Sequence, residues 1–315
     1  MNSRPPAIFL LASLLALGGC SRAPDYSFPV VQKYTSDAGN LFYFKPADGR
    51  LVLLERRRAL AVAVAPQPNI QAYSFDDRIT VSRPRGEMLE NTKLVDSATP
   101  QDVLAIASDG RMLASGDAYG KVTLWDTATG DALREIRVPS AVLSAAFSPD
   151  AEVLAIGLAK ALGRPTDTVW LWDMRTNALL RSFGRRDATA LAWSPDNLRI
   201  AAGHDDGTVL VAEPFGQGEP RQVRGSFAAV TALDFHPSGP FLISAHTDKR
   251  VQLWKVSAGE ALATLEPPLP PDPLFPRGIE RALFAPDGTR LAIAFADGEF
   301  RIHDVSTLVP RQKGN

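Results

Sequence analysis

One unit of sequence is repeated in phase five times, and it restricts the possible folds more than any other feature of the chain. Each copy is an alternating apolar run, a tight polar turn and a second apolar run. The copies span 104–116 around Ser108-Asp109-Gly110, 143–157 around Ser148-Pro149-Asp150, and 191–203 around Ser194-Pro195-Asp196. They continue at 233–245 around His236-Pro237-Ser238-Gly239, and at 283–294 around Ala285-Pro286-Asp287-Gly288. A third apolar run follows each copy, at 122–126, 169–173, 209–213, 251–255 and 300–304. Period-two alternation bounded by turn residues predicts strands, and no helical 3.6 period sustains itself. An aromatic precedes the turn at Phe147, Trp193, Phe235 and Phe284. It returns about every 40–50 residues, a spacing typical of repeat architectures.

The residues that end the third run carry a resemblance. Trp125-Asp126 and Trp172-Asp173 match the signature dipeptide of the WD-repeat family, and the similarity extends over roughly 59–310. Trp254-Lys255 keeps the Trp, His303-Asp304 keeps the Asp, and Ala212-Glu213 keeps only the acidic charge. Asp206, Asp248 and Asp297 stand at the family's tight-turn aspartate, whereas Tyr119 replaces it in one repeat. The family's Gly-His pair before the first strand is absent throughout. The resemblance therefore implies a polar network of His, Asp and Trp that is incomplete here. It also implies an all-β fold, a β-propeller of four-stranded antiparallel blades. A single such blade cannot bury both faces, and closing the ring protects its edges.

A weaker sixth repeat aligns Asp77–Val81 and Gly86-Glu87 with 120–124 and Gly130-Asp131. Apolar runs at 41–46 and 50–54 flank the hairpin signal Ala47-Asp48-Gly49. Together these give seven blades, with six blades and an N-terminal hairpin as the alternative.

The N-terminus reads differently. Residues 7–17 form an apolar run of signal-peptide length, too short to span a bilayer comfortably. Leu17-Gly18-Gly19-Cys20 closes it and resembles the lipobox of bacterial lipoproteins, with Gly18 a less usual choice at its position. Cys20 is the sole cysteine, so no internal disulfide forms. The resemblance implies cleavage before Cys20, its acylation, and a stable anchor from several acyl chains. The expected organisation is a signal peptide at 1–19, a lipidated Cys20 and tether over 20–37, and one propeller domain over 38–315. Ser21, where an Asp would resemble an inner-membrane retention signal, points to the outer membrane facing the periplasm.

The net charge is −1, which gives no global attraction to nucleic acid or anionic lipid. No nucleophile elbow, His-Glu-x-x-His pair or phosphate loop is present. His204-Asp205-Asp206 lacks a partner cluster at metal-ligand spacing. The expectation is therefore no enzyme, no cofactor and no metal. Two insertions mark one face of the ring: 159–166, between second and third strands, and the Pro-rich 266–278, between blades. Insertions on one face of a repeat array often mark the binding face. Arg164, Arg185, Arg186, Arg277, Leu274, Phe275, His204 and His246 belong to that face and are the candidate partner-binding residues. They suit a peptide or acidic protein segment, because Arg grips carboxylates in a fork. The alternative makes the Pro-rich stretch a stiff linker and each single Arg a solvated surface residue. The expected function is a membrane-anchored interaction scaffold of the bacterial cell envelope. The alternative is a ligand-binding or enzymatic propeller that uses its central channel.

Overall fold

The computed structural model describes residues 30–35, 41–44, 51–54, 61–65, 70–75, 78–85, 88–94, 99–161, 166–265, 278–295 and 299–309. Among them are six antiparallel sheets of four strands and one of two, and no helix. Blade one holds Ala61–Ala65, Ile70–Ser74, Ile79–Arg85 and Met88–Leu94. Blade two holds Gln101–Ile106, Met112–Asp117, Lys121–Asp126 and Ala132–Arg137. Blade three holds Val142–Phe147, Val153–Leu158, Val169–Asp173 and Ala178–Phe183. Blade four holds Ala188–Trp193, Ile200–His204, Thr208–Ala212 and Arg221–Arg224. Blade five holds Val230–Phe235, Phe241–His246, Val251–Lys255 and Glu260–Leu265.

Blade six takes Ile279–Phe284, Arg290–Phe295 and Glu299–Asp304 from the C-terminal end of the fold. Its fourth strand is Val30–Thr35, paired antiparallel to Glu299–Asp304. Residues 30–35 were expected within a tether, and here they are part of the fold. The reason is physical: without them, Glu299–Asp304 would leave an open sheet edge. The hairpin expected near 47–49 is the two-stranded sheet of Leu41–Phe44 and Leu51–Leu54. The architecture is a β-propeller of about six or seven blades.

The first strand of each blade packs against the first strand of the next, from blade one through blade six, and these strands wall an axial channel. The second strands of blades three, four and five have both of their faces covered. Val153–Leu158, Ile200–His204 and Phe241–His246 are buried at every position. Outer strands such as Ala132–Arg137 are mostly exposed and carry the charges. Among the described residues, five of the six hydrophobic clusters are shared by two blades. Leu124 of blade two packs in one cluster with Leu154 and Ile156 of blade three, and Phe241 of blade five with Leu291 and Ile293 of blade six. A fully buried Leu or Ile contributes roughly 1.5–3 kcal/mol. An isolated blade would forgo that on both faces.

The channel-facing edges of the first strands are closed by side chains. Ser144 donates to the Ala188 carbonyl (2.8 Å), Thr189 to the Val230 carbonyl (2.6 Å), and the Trp193 indole to the Ala146 carbonyl (3.1 Å). The Phe284 amide donates to Asp234 (2.7 Å). Each bond ties neighbouring blades together.

Candidate functional site

The loops between second and third strands and the connections to the next blade lie on one face, bound to one another. The Val138 amide donates to the Gly120 carbonyl (2.9 Å), and the Lys160 amide to the Asp187 carboxylate (2.7 Å). The described ends of the 159–166 insertion therefore stand beside the connection that carries Arg185 and Arg186.

Blade five shows how a second strand holds such a connection. The Trp254 indole donates to the Ser244 hydroxyl (2.9 Å), which stands 2.9 Å from His246 Nε2. His246 Nδ1 lies 3.0 Å from the Ala228 carbonyl. A carbonyl only accepts, so Nδ1 carries the proton and Nε2 is the acceptor for Ser244. Every donor and acceptor in this series from Trp254 to Ala228 is matched. The tight-turn Asp248 takes a second bond from Ser226 (2.6 Å), where the family would place His. Blade two keeps a related pair of bonds, Trp125 to Ser115 (3.0 Å) and Thr99 to Asp117 (2.8 Å). The network expected to be incomplete is thus whole in blade five, rebuilt with different residues.

In blade four the same positions are emptied. Ala202 stands for Ser244 and Ala212 for Trp254, as strand pairing of Ile200 with Ala212 and Leu242 with Trp254 shows. His204 keeps its place, with Nδ1 3.1 Å from the Arg186 carbonyl. Its Nε2 is buried and has no partner, and neither has the buried Thr168 hydroxyl nearby. A buried polar group without a partner costs about 1–3 kcal/mol. Burial pulls the His204 imidazole below its ordinary range, more than the adjacent carbonyls and acids raise it. Gly184, at φ +82°, lies over this pair: a Cβ there would meet the Thr168 hydroxyl at 2.9 Å and His204 Cε1 at 3.2 Å.

His204 opens onto a cavity of about 470 Å³ between blades three and four. Phe183, Leu210 and Pro220 form its apolar wall, and Arg185, Arg186, Arg224, Asp167, Asp206 and Glu219 its charged rim. The Arg186 side chain lies 3.6 Å and that of Arg224 2.7 Å from Asp206, while Arg185 lies 3.4 Å from Asp167. Burial pushes the Asp206 carboxyl up, but the bonds from Thr208 and the charges of Arg224 and Arg186 outweigh it, so it stays below its ordinary value. The Arg residues expected to meet an acidic segment are therefore balanced by carboxylates of the same rim. Exposed pairs of this kind contribute at most about 1 kcal/mol each.

Of the residues predicted for this face, Arg185 and Arg186 line the cavity rim with 70% and 56% of their side chains exposed. His204 and His246 are 1% and 0% exposed. They cannot form a partner-facing rim as predicted, because their rings support the connections from beneath. Arg164, Leu274, Phe275, Arg277 and Cys20 lie outside the described residues. Sequence reasoning missed Phe227 and Tyr119, which stand 84% and 76% exposed on the same face, with Arg224 over the Phe227 ring at 5.5 Å. It also missed Asp167 and Arg224. Asp167 follows directly on the insertion, which is a usable signal; Arg224 carries none.

The channel is the other concave site. Asp102, Leu143, Thr189, Thr231 and Glu280 line it, each the bulged second residue of its strand. Most of the remaining wall is Ala, Val and Leu, joined by Arg281. Burial raises the nearby Asp234 carboxyl to about 7, against the Phe284 amide and the Arg281 charge, which lower it. Aligning the repeats exposes Asp234, since Ala105, Ala146 and Ala192 fill the equivalent positions. Among the described residues, no group of three His, Cys, Asp or Glu is placed to hold a metal ion.

Comparison with known proteins fits this geometry. Residues 178–211 and 218–255 match the WD40 model, described as WD domain, G-beta repeat. Each match begins near the outer strand of one blade and ends in the third strand of the next, so the sequence repeat straddles two blades. The chain is similar to the small ribosomal subunit protein RACK1y of Oryza sativa subsp. japonica, 27% identical over 48% of this chain and 45% of that protein. It is similar to actin-interacting protein 1 of Drosophila melanogaster, 25% identical over 70% of this chain and 36% of the relative. Eukaryotic translation initiation factor 3 subunit I of Emericella nidulans is 29% identical over 45% of this chain and 46% of that protein. The matches span less than half the length of these curated relatives.

Proposed function

We propose that this WD40-repeat propeller is a non-enzymatic interaction scaffold that engages partner proteins through its insertion-bearing face, around the groove between blades three and four. The observation that carries the reading is the groove itself. It combines apolar walls, a rim of exposed guanidinium groups, and exposed Phe227 on the same face, the residue types that dominate binding energy at protein interfaces. The relatives support it by analogy, since their names place them in a ribosomal subunit, in contact with actin, and in an initiation factor. The site, not the fold, has to carry the claim.

The same proposal anchors the protein by lipid on Cys20 in a bacterial envelope, with the propeller in the periplasm at the outer membrane. The support is the lipobox-like Leu17-Gly18-Gly19-Cys20 after an apolar run. Two experiments test the two halves. Cys20→Ala should release the protein from the membrane fraction or block its maturation; unchanged processing and fractionation refute the anchor. Arg185→Glu with Arg186→Glu should reduce partner capture after crosslinking in intact cells, with the melting temperature retained. Undiminished capture removes the groove from the interface.

The second reading places a small ligand in the axial channel. Asp234 favours it, a carboxyl shifted to about 7 beside Arg281. The mainly aliphatic wall weighs against it.

A further inference from the structure

We propose that the groove between blades three and four binds a carboxylate that carries a hydrogen-bond donor next to its acid group. Amino acids, hydroxy acids and the C-terminal residue of a peptide share this chemistry. The inference holds whether or not the face also docks a partner.

The floor of the groove dictates the donor. His204 Nδ1 faces the Arg186 carbonyl, so that nitrogen holds the proton and Nε2 presents a lone pair. Burial pulls the imidazole below its ordinary value, which favours the neutral ring. The ring lines the floor of the cavity, and its Nε2 is buried and unpartnered. In blade five the corresponding nitrogen faces the Ser244 hydroxyl, but blade four has Ala202 there. Nothing in the described chain supplies that proton, so a group entering the cavity must bring it.

The rim dictates the acid. Arg185 and Arg186 approach Asp167 and Asp206 through Nε, at 3.4 and 3.6 Å. Their Nη edges make no hydrogen bond among the described residues, and such an edge takes a carboxylate through two parallel bonds. Charge balance narrows the class further. Asp167, Asp206 and Glu219 offset Arg185, Arg186 and Arg224 around the rim. A phosphate dianion or polyanion finds no surplus positive charge there, whereas one carboxylate with its own donor matches both elements. A volume of about 470 Å³ admits a ligand of small-molecule size.

The test uses the full chain, labelled with ¹⁵N at its four histidines. His204→Phe identifies the His204 Nε2 resonance by its loss. The probes are L-alanine, L-lactate and N-acetyl-glycyl-alanine, compared with acetate, succinate, inorganic phosphate and N-acetyl-glycyl-alaninamide. At least one of the first three should move the Nε2 resonance saturably, toward the position of a hydrogen-bonded acceptor. Arg185→Gln with Arg186→Gln should weaken that probe about tenfold or more, as loss of a charge-assisted pair implies. A response to the free acids, or only to the peptide acid, identifies the source of the ligand. If none of the three moves the resonance, the inference fails. It fails equally if acetate or succinate moves it as far, since the donor would then be irrelevant.

Discussion

Removing the Ser244 hydroxyl by Ser244→Ala isolates the energetics of the buried network. That oxygen accepts from the Trp254 indole at 2.9 Å and serves His246 Nε2 at 2.9 Å, and both partners are buried. The substitution strands one donor and one acceptor. Each buried, unsatisfied group costs about 1–3 kcal/mol. Relaxation and shared solvation keep the sum below simple addition, so the expected loss is about 2–4 kcal/mol. In a domain of this size that lowers the melting midpoint by roughly 4–10 °C. Scanning calorimetry of the purified protein measures it. The reverse change provides the control: Ala202→Ser offers His204 Nε2 a donor, with room left by Ala212, and should add about 0.5–1.5 kcal/mol. If Ser244→Ala melts within about 0.5 kcal/mol of the parent, the typical range of a neutral surface change, the network does not hold blade five as described.

Four more outcomes are expected. Ala151 sits at φ 60° in the turn that Gly110, Gly239 and Gly288 fill in other blades, so Ala151→Gly should stabilise by about 0.5–1 kcal/mol in chemical denaturation. Gly184→Ala should destabilise by roughly 1–3 kcal/mol, because φ is +82° and its Cβ would press on Thr168 and His204; an unchanged midpoint contradicts that packing. Asp234 is raised from 3.8 to about 7, so the folded state holds a proton that the unfolded chain has released. Stability contributed by that group is full below about 3.8 and is lost as pH rises through about 7; Asp234→Asn should flatten this part of the pH–stability curve. Phe227→Ser should leave melting nearly unchanged, because the ring is 84% exposed, yet weaken partner capture; intact capture would place the interface elsewhere.

Much of the fold was legible because its signals are local and repeated. The turns around Asp150 and Asp196 gave the hairpins, and 122–126 and 169–173 gave the third strands, since alternation and turn chemistry act within a few residues. The strand Val30–Thr35 was not legible. Its role depends on pairing with Glu299–Asp304 at the other end of the chain, and nothing local distinguishes it from a tether. The site was half legible. Spacing placed Arg185, Arg186 and the insertion on one face. It could not show that Asp167 and Asp206 neutralise those Arg residues, because the pairs form between separate loops. His204 was found for the wrong reason. Its position between second and third strands, equivalent to that of His246, placed it on the rim, whereas its ring lies beneath it. The loss of Ser and Trp at Ala202 and Ala212 was readable from the repeats. Its consequence, an acceptor without a donor facing a cavity, needs the packing of blade three against blade four.

The face that engages the partner can be tested directly by placing a photocrosslinking amino acid at Arg185 or, separately, at Leu198. Leu198 is 60% exposed in a turn between first and second strands, on the opposite face of the ring. In intact cells, irradiation should join the partner to the Arg185 variant and not to the Leu198 variant. Equal crosslinking from both positions, or crosslinking from Leu198 alone, would contradict the account.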